Sequence, residues 1–139
     1  MVVKTTKISL QSKGFNDIID ITNSVAEAIK ESMLSSGIAT VFIPGSTGGI
    51  TTIEYEPGLL KDILEMLEKI APQNARYHHD QTWHDGNGFS HVRSALIKAS
   101  LTIPFVDSAL TLGTWQQIVF IDFDNRPRER TLICQIIGE

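Results

Sequence analysis

The chain has 139 residues, a formal net charge of −4, a pI near 5.5, 42% hydrophobic residues and a mean hydropathy of +0.01. That supports one globular domain, residues 1–139, with a core of its own, and it excludes an intrachain disulfide, because Cys134 is the only cysteine. An acidic balance argues against a nucleic-acid partner, apolar runs this short do not span a membrane, and an N-terminus without an apolar leader points to the cytoplasm.

Residues Val3 to Leu10 alternate loosely and carry β-branched side chains, which predicts a strand. In "NSVAEAIKESML", Val25, Ile29 and Met33 recur every four residues with Ala28 on the same face, a helical pattern. Thr22 or Asn23 is placed to cap its start, and Gly37 to end it in the left-handed conformation. "IATVFIP" is apolar on both faces, as in a strand inside a sheet. "GSTGG" is a turn, and "ITTIEYE" alternates again, with Thr52 and Glu54 on the face opposite Thr51, Ile53 and Tyr55.

Pro57 opens a second helix, where its missing amide costs little. Leu60, Ile63, Leu64, Leu67 and Ile70 form its apolar stripe. "APQNARYHHDQTWHDGNG" then reads as an unusually long loop. A short helix follows, with Val92, Ala95, Leu96 and Ala99 predicted on its inner face. "SLTIPF" and "ALTL" read as strands joined around Asp107 and Ser108. "TWQQIVFIDF" and "RERTLICQII" read as a hairpin around "DNRP", with Cys134 in the core. About seven strands and three helices, with mostly hairpin-like connections, indicate α+β: a largely antiparallel or mixed sheet with helices on one face.

All four histidines fall between His78 and His91. His79 and His84 have a spacing seen in paired zinc ligands, and His91 falls near the start of the third helix, beside its apolar stripe. Asp80 and Asp85 are placed to orient ring N–H groups. The stretch reads as a metal site, an acid–base site, or a solvated polar loop. Glu54 is either an inward carboxylate that partners His79 and His91, or serves as a general base, or an exposed strand residue. In "GSTGG", Ser46 and Thr47 can cradle a phosphate, or the segment is a plain turn; no lysine follows, so it is no Walker motif. Arg128 either grips an anion or, like Arg126, decorates a charged hairpin end. Gly113 marks a strand break, Trp115 belongs to core or interface, and Gln116 alternates with Ile118 on a face that can reach the site.

The segment Ser100 to Glu139, with "LTLGTWQ" at Leu110 to Gln116, resembles the signature region of the YjbQ family, small proteins described as secondary thiamine-phosphate synthases. The likeness extends upstream through "YHHD", "DGNGFSH" and "DITNSVAEAI". It implies a compact α+β subunit and a homotrimer. It also implies an activity that joins a hydroxymethylpyrimidine diphosphate to a thiazole phosphate and releases pyrophosphate. Matching motif by motif, the resemblance points to Glu54, His79, Asn87 and His91. A divalent metal, Mg²⁺ or a transition metal, held by Glu54, His79 and His91 fits such chemistry, with Arg128 beside the leaving group. Where many members read "PHTTA" this chain reads "PGSTG", so Gly45 stands in place of a histidine, and His78 or His84 is the candidate substitute. The other expectation is a trimeric protein that binds a metal or a small phosphorylated molecule without turning it over.

Overall fold

The computed structural model describes residues 1–139. Eight strands and four helices follow in the order β1 (Val2–Ser12), β2 (Asp17–Asp20), α1 (Thr22–Ser32), β3 (Gly37–Phe42), β4 (Gly48–Ile53), α2 (Pro57–Ile70), α3 (His78–Trp83), α4 (Gly88–Ile97), β5 (Ser100–Val106), β6 (Ala109–Leu110), β7 (Gln117–Asp122) and β8 (Arg128–Gly138). The class is α+β with antiparallel pairing, as the sequence suggests. The strands form two sheets: a five-stranded one ordered β1-β8-β3-β5-β6 and a three-stranded one ordered β2-β7-β4.

The two sheets share a core. Ile8, Ala39, Val41, Ile103, Phe105, Leu132, Cys134 and Ile136 from the larger sheet meet Val25, Ala28 and Ile29 of α1 and Ile50, Ile118 and Phe120 of the smaller one. The other face of the smaller sheet, Val119 and Ile121 with Phe123 just beyond β7, packs against Leu67 and the rest of the α2 stripe. β7 is therefore buried on both faces, which is why it reads as an unbroken apolar run. On the outer face of the larger sheet, Val3, Ile38 and Phe42 remain substantially exposed.

Several local expectations need correction. "TWQQIVFIDF" and "RERTLICQII" are not a hairpin: β7 pairs with β2 and β4, while β8 pairs with β1 and β3. Both edges of β7 are already taken, so the chain crosses to the other sheet through Phe123–Pro127. Thr22 is the first residue of α1 rather than its cap; the Asp20 carboxylate accepts from the Thr22 amide at 2.9 Å and its hydroxyl at 2.6 Å. Met33, not Gly37, ends that helix in the left-handed region with φ of 62°, and its side chain is exposed. The long loop contains α3, which buries no side chain and so left no apolar period in the sequence.

In α4, Phe89, Ser90, Arg93 and Ser94 face inward, while Val92, Ala95 and Leu96 face out. The buried face is mostly polar because it bonds to backbone. Ser90 donates to the Phe123 carbonyl, Ser94 to the Gly48 carbonyl at 2.6 Å, and Arg93 to the Ala71 carbonyl at 3.0 Å. The β5–β6 connection is as expected: Asp107 and Ser108 have φ of 51° and 57°, the backbone of a tight two-residue hairpin.

Candidate functional site

The site grows from the far ends of β7 and β8. Asp122 ends β7, Asp124 follows two residues on, and Arg128 and Arg130 open β8. Their charges pair concentrically about Arg126. Arg130 Nε and Nη2 donate to the two Asp122 oxygens, each at 2.8 Å, and Arg128 Nη1 donates to Asp124 Oδ2 at 2.6 Å. Asp122, Asp124 and Arg130 are buried, so each charge needs the others. Thr47 joins the network from the turn before β4: its hydroxyl accepts from Arg130 Nη2 at 2.8 Å and donates to Asp124 Oδ2 at 3.2 Å.

Burial by itself would raise the Asp124 carboxyl. The Asn125 amide, the Asn87 side chain, Arg128 and Thr47 outweigh it and hold this group below the ordinary carboxylate range. It is an anion at neutral pH, tied on every side.

Asn87 carries the network to the histidines. It precedes α4, and its amide lies between two carboxylates, 3.4 Å from Asp124 Oδ1 and, by its other end, 3.0 Å from Asp85 Oδ1. An amide can donate from one end only. Turned one way it donates to Asp124, and turned the other way to Asp85. One turn into α4, His91 stacks on His79 of α3, with ring centroids 4.1 Å apart and a tilt of 36°.

His79 Nδ1 is buried and has no hydrogen-bond partner. It lies 3.5 Å from Asp85 Oδ1 and 3.7 Å from Asp80 Oδ1. Ligand atoms of His79, Asp80 and Asp85 all fall within 4.8 Å of one another. Asp80 is partly committed, because it accepts from the Gly88 amide at 2.9 Å; Asp85 is freer, with its side chain 46% exposed. Burial, then the neighbouring His79, lower the pKa of His91 below its ordinary value, so that ring is neutral at pH 7 and able to serve as a ligand. An orphaned imidazole nitrogen facing acceptors is a donor set suited to a divalent cation.

The structure thus brings His79, His91, Asn87, Thr47 and Arg128 into one neighbourhood. It does not bring Glu54. β4 enters the site at Gly48, opposite Asp122, and leaves at Ile53, opposite Gln117. At about 3.3 Å per residue, Glu54 stands on the order of 20 Å from Thr47. It is exposed there, in a cleft with Asp20, Tyr55, Glu56, Thr114, Trp115 and Gln117. Asp80 and Asp85 supply the carboxylates instead, as neighbours of the histidines in the chain.

His78 and His84 are exposed and outside the cluster, and His84 ends α3 with φ of 57°. Neither replaces the histidine that Gly45 lacks; the side chain beside Gly45 is Arg130. Ser46 is exposed in the turn, next to Thr47. Arg126 is an exposed residue of the crossover. Trp115, 73% exposed, is not a core residue. Gln116 folds back on its own turn, where its side chain accepts from the Gly113 amide and donates to Thr52, away from the histidines.

The sequence reading missed Asp122 and Asp124, and saw Arg130 only as one of the alternating arginines of "RPRER". Their signal was present: in "DFDNRPRER" two acids and two arginines mirror each other about Arg126.

Comparison with known proteins gives one result throughout. Residues 6–139 match the family described as UPF0047 protein YjbQ-like. A UPF0047 protein of Methanocaldococcus jannaschii is 36% identical over 134 residues, 96% of this chain and 94% of that one. A crystal structure from Sulfolobus solfataricus, described as a YbjQ-like protein of unknown function, superposes with a TM-score of 0.93 at 28% identity, covering 99% of each chain. One from Clostridium acetobutylicum, described as an uncharacterized conserved protein of the yjbq/upf0047 family, gives 0.87 at 38% identity over 95% of this chain and 99% of that one. With its fold, its length and nearly all of its sequence matched, this chain belongs to the YjbQ/UPF0047 family.

Proposed function

We propose that the chain is a cytoplasmic, metal-assisted transferase of the thiamine-phosphate synthase type. In that reaction a thiazole nitrogen displaces pyrophosphate from a pyrimidinylmethyl diphosphate: a C–N bond forms at the methylene carbon as its C–O bond breaks. His79, Asp85 and His91 would hold the divalent ion, Mg²⁺ or a transition metal, with Asp80 orienting the loop through the Gly88 amide. When bound, the ion would neutralise the charge that gathers on the departing diphosphate.

The protein's own groups do the rest. Arg128, with only Nη1 taken by Asp124, presents donors at the edge of the site, Thr47 holds Arg130 and Asp124 in place beside it, and Asn87 links the carboxylates on either side. No protein nucleophile is required, since the attacking nitrogen belongs to the substrate. Glu54 has no part in this arrangement within one chain.

The observation that carries the proposal is the buried His79 Nδ1, unpartnered and facing two carboxylate oxygens. The test has two parts. Metal-stripped protein should take up one Mn²⁺ per chain, with affinity lost in His79→Ala and in Asp85→Asn. The loaded protein should release pyrophosphate from the two phosphorylated substrates. Uptake that ignores both substitutions would end the metal assignment, and absence of thiamine phosphate with either Mg²⁺ or Mn²⁺ would end the reaction assignment.

A second reading keeps the cation and drops the turnover: a homotrimeric protein that binds a metal or a small phosphorylated ligand. Its support is the half-exposed Asp85, which leaves the cluster open to solvent. The apolar residues on the outer face of the larger sheet supply a surface on which copies could pack.

A further inference from the structure

Arg130 is 5% exposed, yet only two of its three guanidinium nitrogens are used within the protein. Nε and Nη2 serve Asp122 and Thr47. Nη1 donates to no protein acceptor, and it points at the turn before β4: a Cβ built on Gly45 would lie 3.5 Å from it. The rest of the guanidinium is held rigidly by Asp122 and Thr47, so this open end is fixed in place. The turn, exposed at Gly45 and Ser46, offers further N–H groups. The backbone amides of Gly45, Ser46 and Thr47 donate to no acceptor in the protein, whereas the residues on either side do: Ile43 bonds to the Ala99 carbonyl, and Ile50 to the Lys98 carbonyl. Nη1 thus faces the turn at Gly45, where three consecutive amides are free of protein acceptors. Consecutive free amides beside a guanidinium are an oxyanion-binding arrangement.

We infer that the turn Gly45–Thr47 and the open end of Arg130 form the seat of a phosphate group. The link to the metal-assisted reaction rests on the function proposed above, but the anion site stands on its own geometry. Thr47 connects the two places. Its hydroxyl bonds to Arg130 on one side and to Asp124 on the other, and Asp124 reaches the Asn87 amide and lies close enough to His91 to act on its charge. A phosphate seated on the turn and a cation at His79 and Asp85 would then be two ends of one substrate complex.

The local charge balance shapes the expectation. Arg128 and Arg130 are matched by Asp122 and Asp124, so the seat is close to neutral without the cation. Phosphate alone should bind weakly, and Mn²⁺ should tighten it. By linkage, phosphate must tighten Mn²⁺ by the same factor.

The experiment is calorimetric titration of metal-stripped full-length protein with inorganic phosphate, pyrophosphate and acetate, each repeated with Mn²⁺. Ser46→Asp is the principal variant, because this exposed position tolerates the change while a carboxylate on the turn itself repels an anion. Arg130→Lys is the second, with its folding checked by circular dichroism. The wild type should bind phosphate or pyrophosphate in preference to acetate, and Ser46→Asp should weaken that binding about tenfold or more. His79→Ala should keep the metal-free phosphate affinity and lose the Mn²⁺ enhancement.

Equal phosphate affinity in the wild type and Ser46→Asp would overturn the inference, as would acetate binding as well as phosphate. Intact phosphate binding without Mn²⁺ uptake would leave the seat in place and remove the metal reading alone.

Discussion

Replacing Arg93 with methionine tests how α4, and His91 with it, is held in place. The Arg93 side chain is 1% exposed, and each of its nitrogens has a partner: Ala71 O at 3.0 Å from Nε, Asn16 Oδ1 at 2.8 Å from Nη1 and Glu68 Oε2 at 2.7 Å from Nη2. The guanidinium also lies 5.1 Å from the Phe89 ring centroid. One side chain thus joins α4 to α2, to the residue that ends α2 and to the β1–β2 turn. Methionine keeps much of the stem and deletes the donors. The buried Ala71 carbonyl is then orphaned, at a cost of about 1–3 kcal/mol. The cation–π contact takes about 1 kcal/mol with it. The Glu68 pair adds little, because that carboxylate is 54% exposed and returns to water. The expected loss for Arg93→Met is about 3 kcal/mol, against less than about 1 kcal/mol for Glu68→Gln, whose amide oxygen can still accept from Nη2. Urea denaturation followed by circular dichroism measures both. If Glu68→Gln costs as much as Arg93→Met, the ion pair and not the buried carbonyl carries the energy, and this reasoning fails.

Three further outcomes are expected. The folded state lowers the pKa of His91, so the unfolded chain takes up that proton first. Stability should therefore fall as pH drops below about 6.5, then level off beneath the folded value, and His91→Gln should flatten this part of the profile. Burial pushes the Cys134 thiol up to about 11, so at pH 8 iodoacetamide should leave native protein unlabelled and modify it only after urea unfolding. Met33→Gly relieves a left-handed residue whose side chain is exposed, and should raise stability by about 0.5–1 kcal/mol in the same urea assay.

Which parts of this molecule were legible in the sequence follows from how each part is stabilised. The stripe of α2 and the run of β7 are held by apolar burial, and burial writes a period into the chain. α4 is held on its inner face by Ser90, Arg93 and Ser94 bonding to backbone carbonyls, so an apolar template selected Val92 and Leu96, which face outward. α3 buries no whole side chain and shows no period at all. The same logic explains the crossover between β7 and β8. Two strong strand patterns around turn residues read as a hairpin, and only the competition of β2 and β4 for the edges of β7 prevents it. That competition is a long-range fact, invisible in a local window.

The candidate site divides along the same line. His79, Asp80, Asp85 and His91 lie within 13 residues of one another, and a six-residue helix followed by a left-handed turn is enough to gather them. Proximity in sequence became proximity in space. Glu54 was assigned on its place in an alternating strand and on a match between motifs, and neither says which end of a strand meets which loop. The register of β4 on β7 decides that, and it carries Glu54 away from the histidines. Asp124 and Arg130, by contrast, reach the site because β7 ends and β8 begins there. Buried and matched in charge, they tie the crossover to the turn at Thr47. The candidate site therefore sits where the chain passes from one sheet to the other, and buried ion pairs tie that passage to the turn before β4.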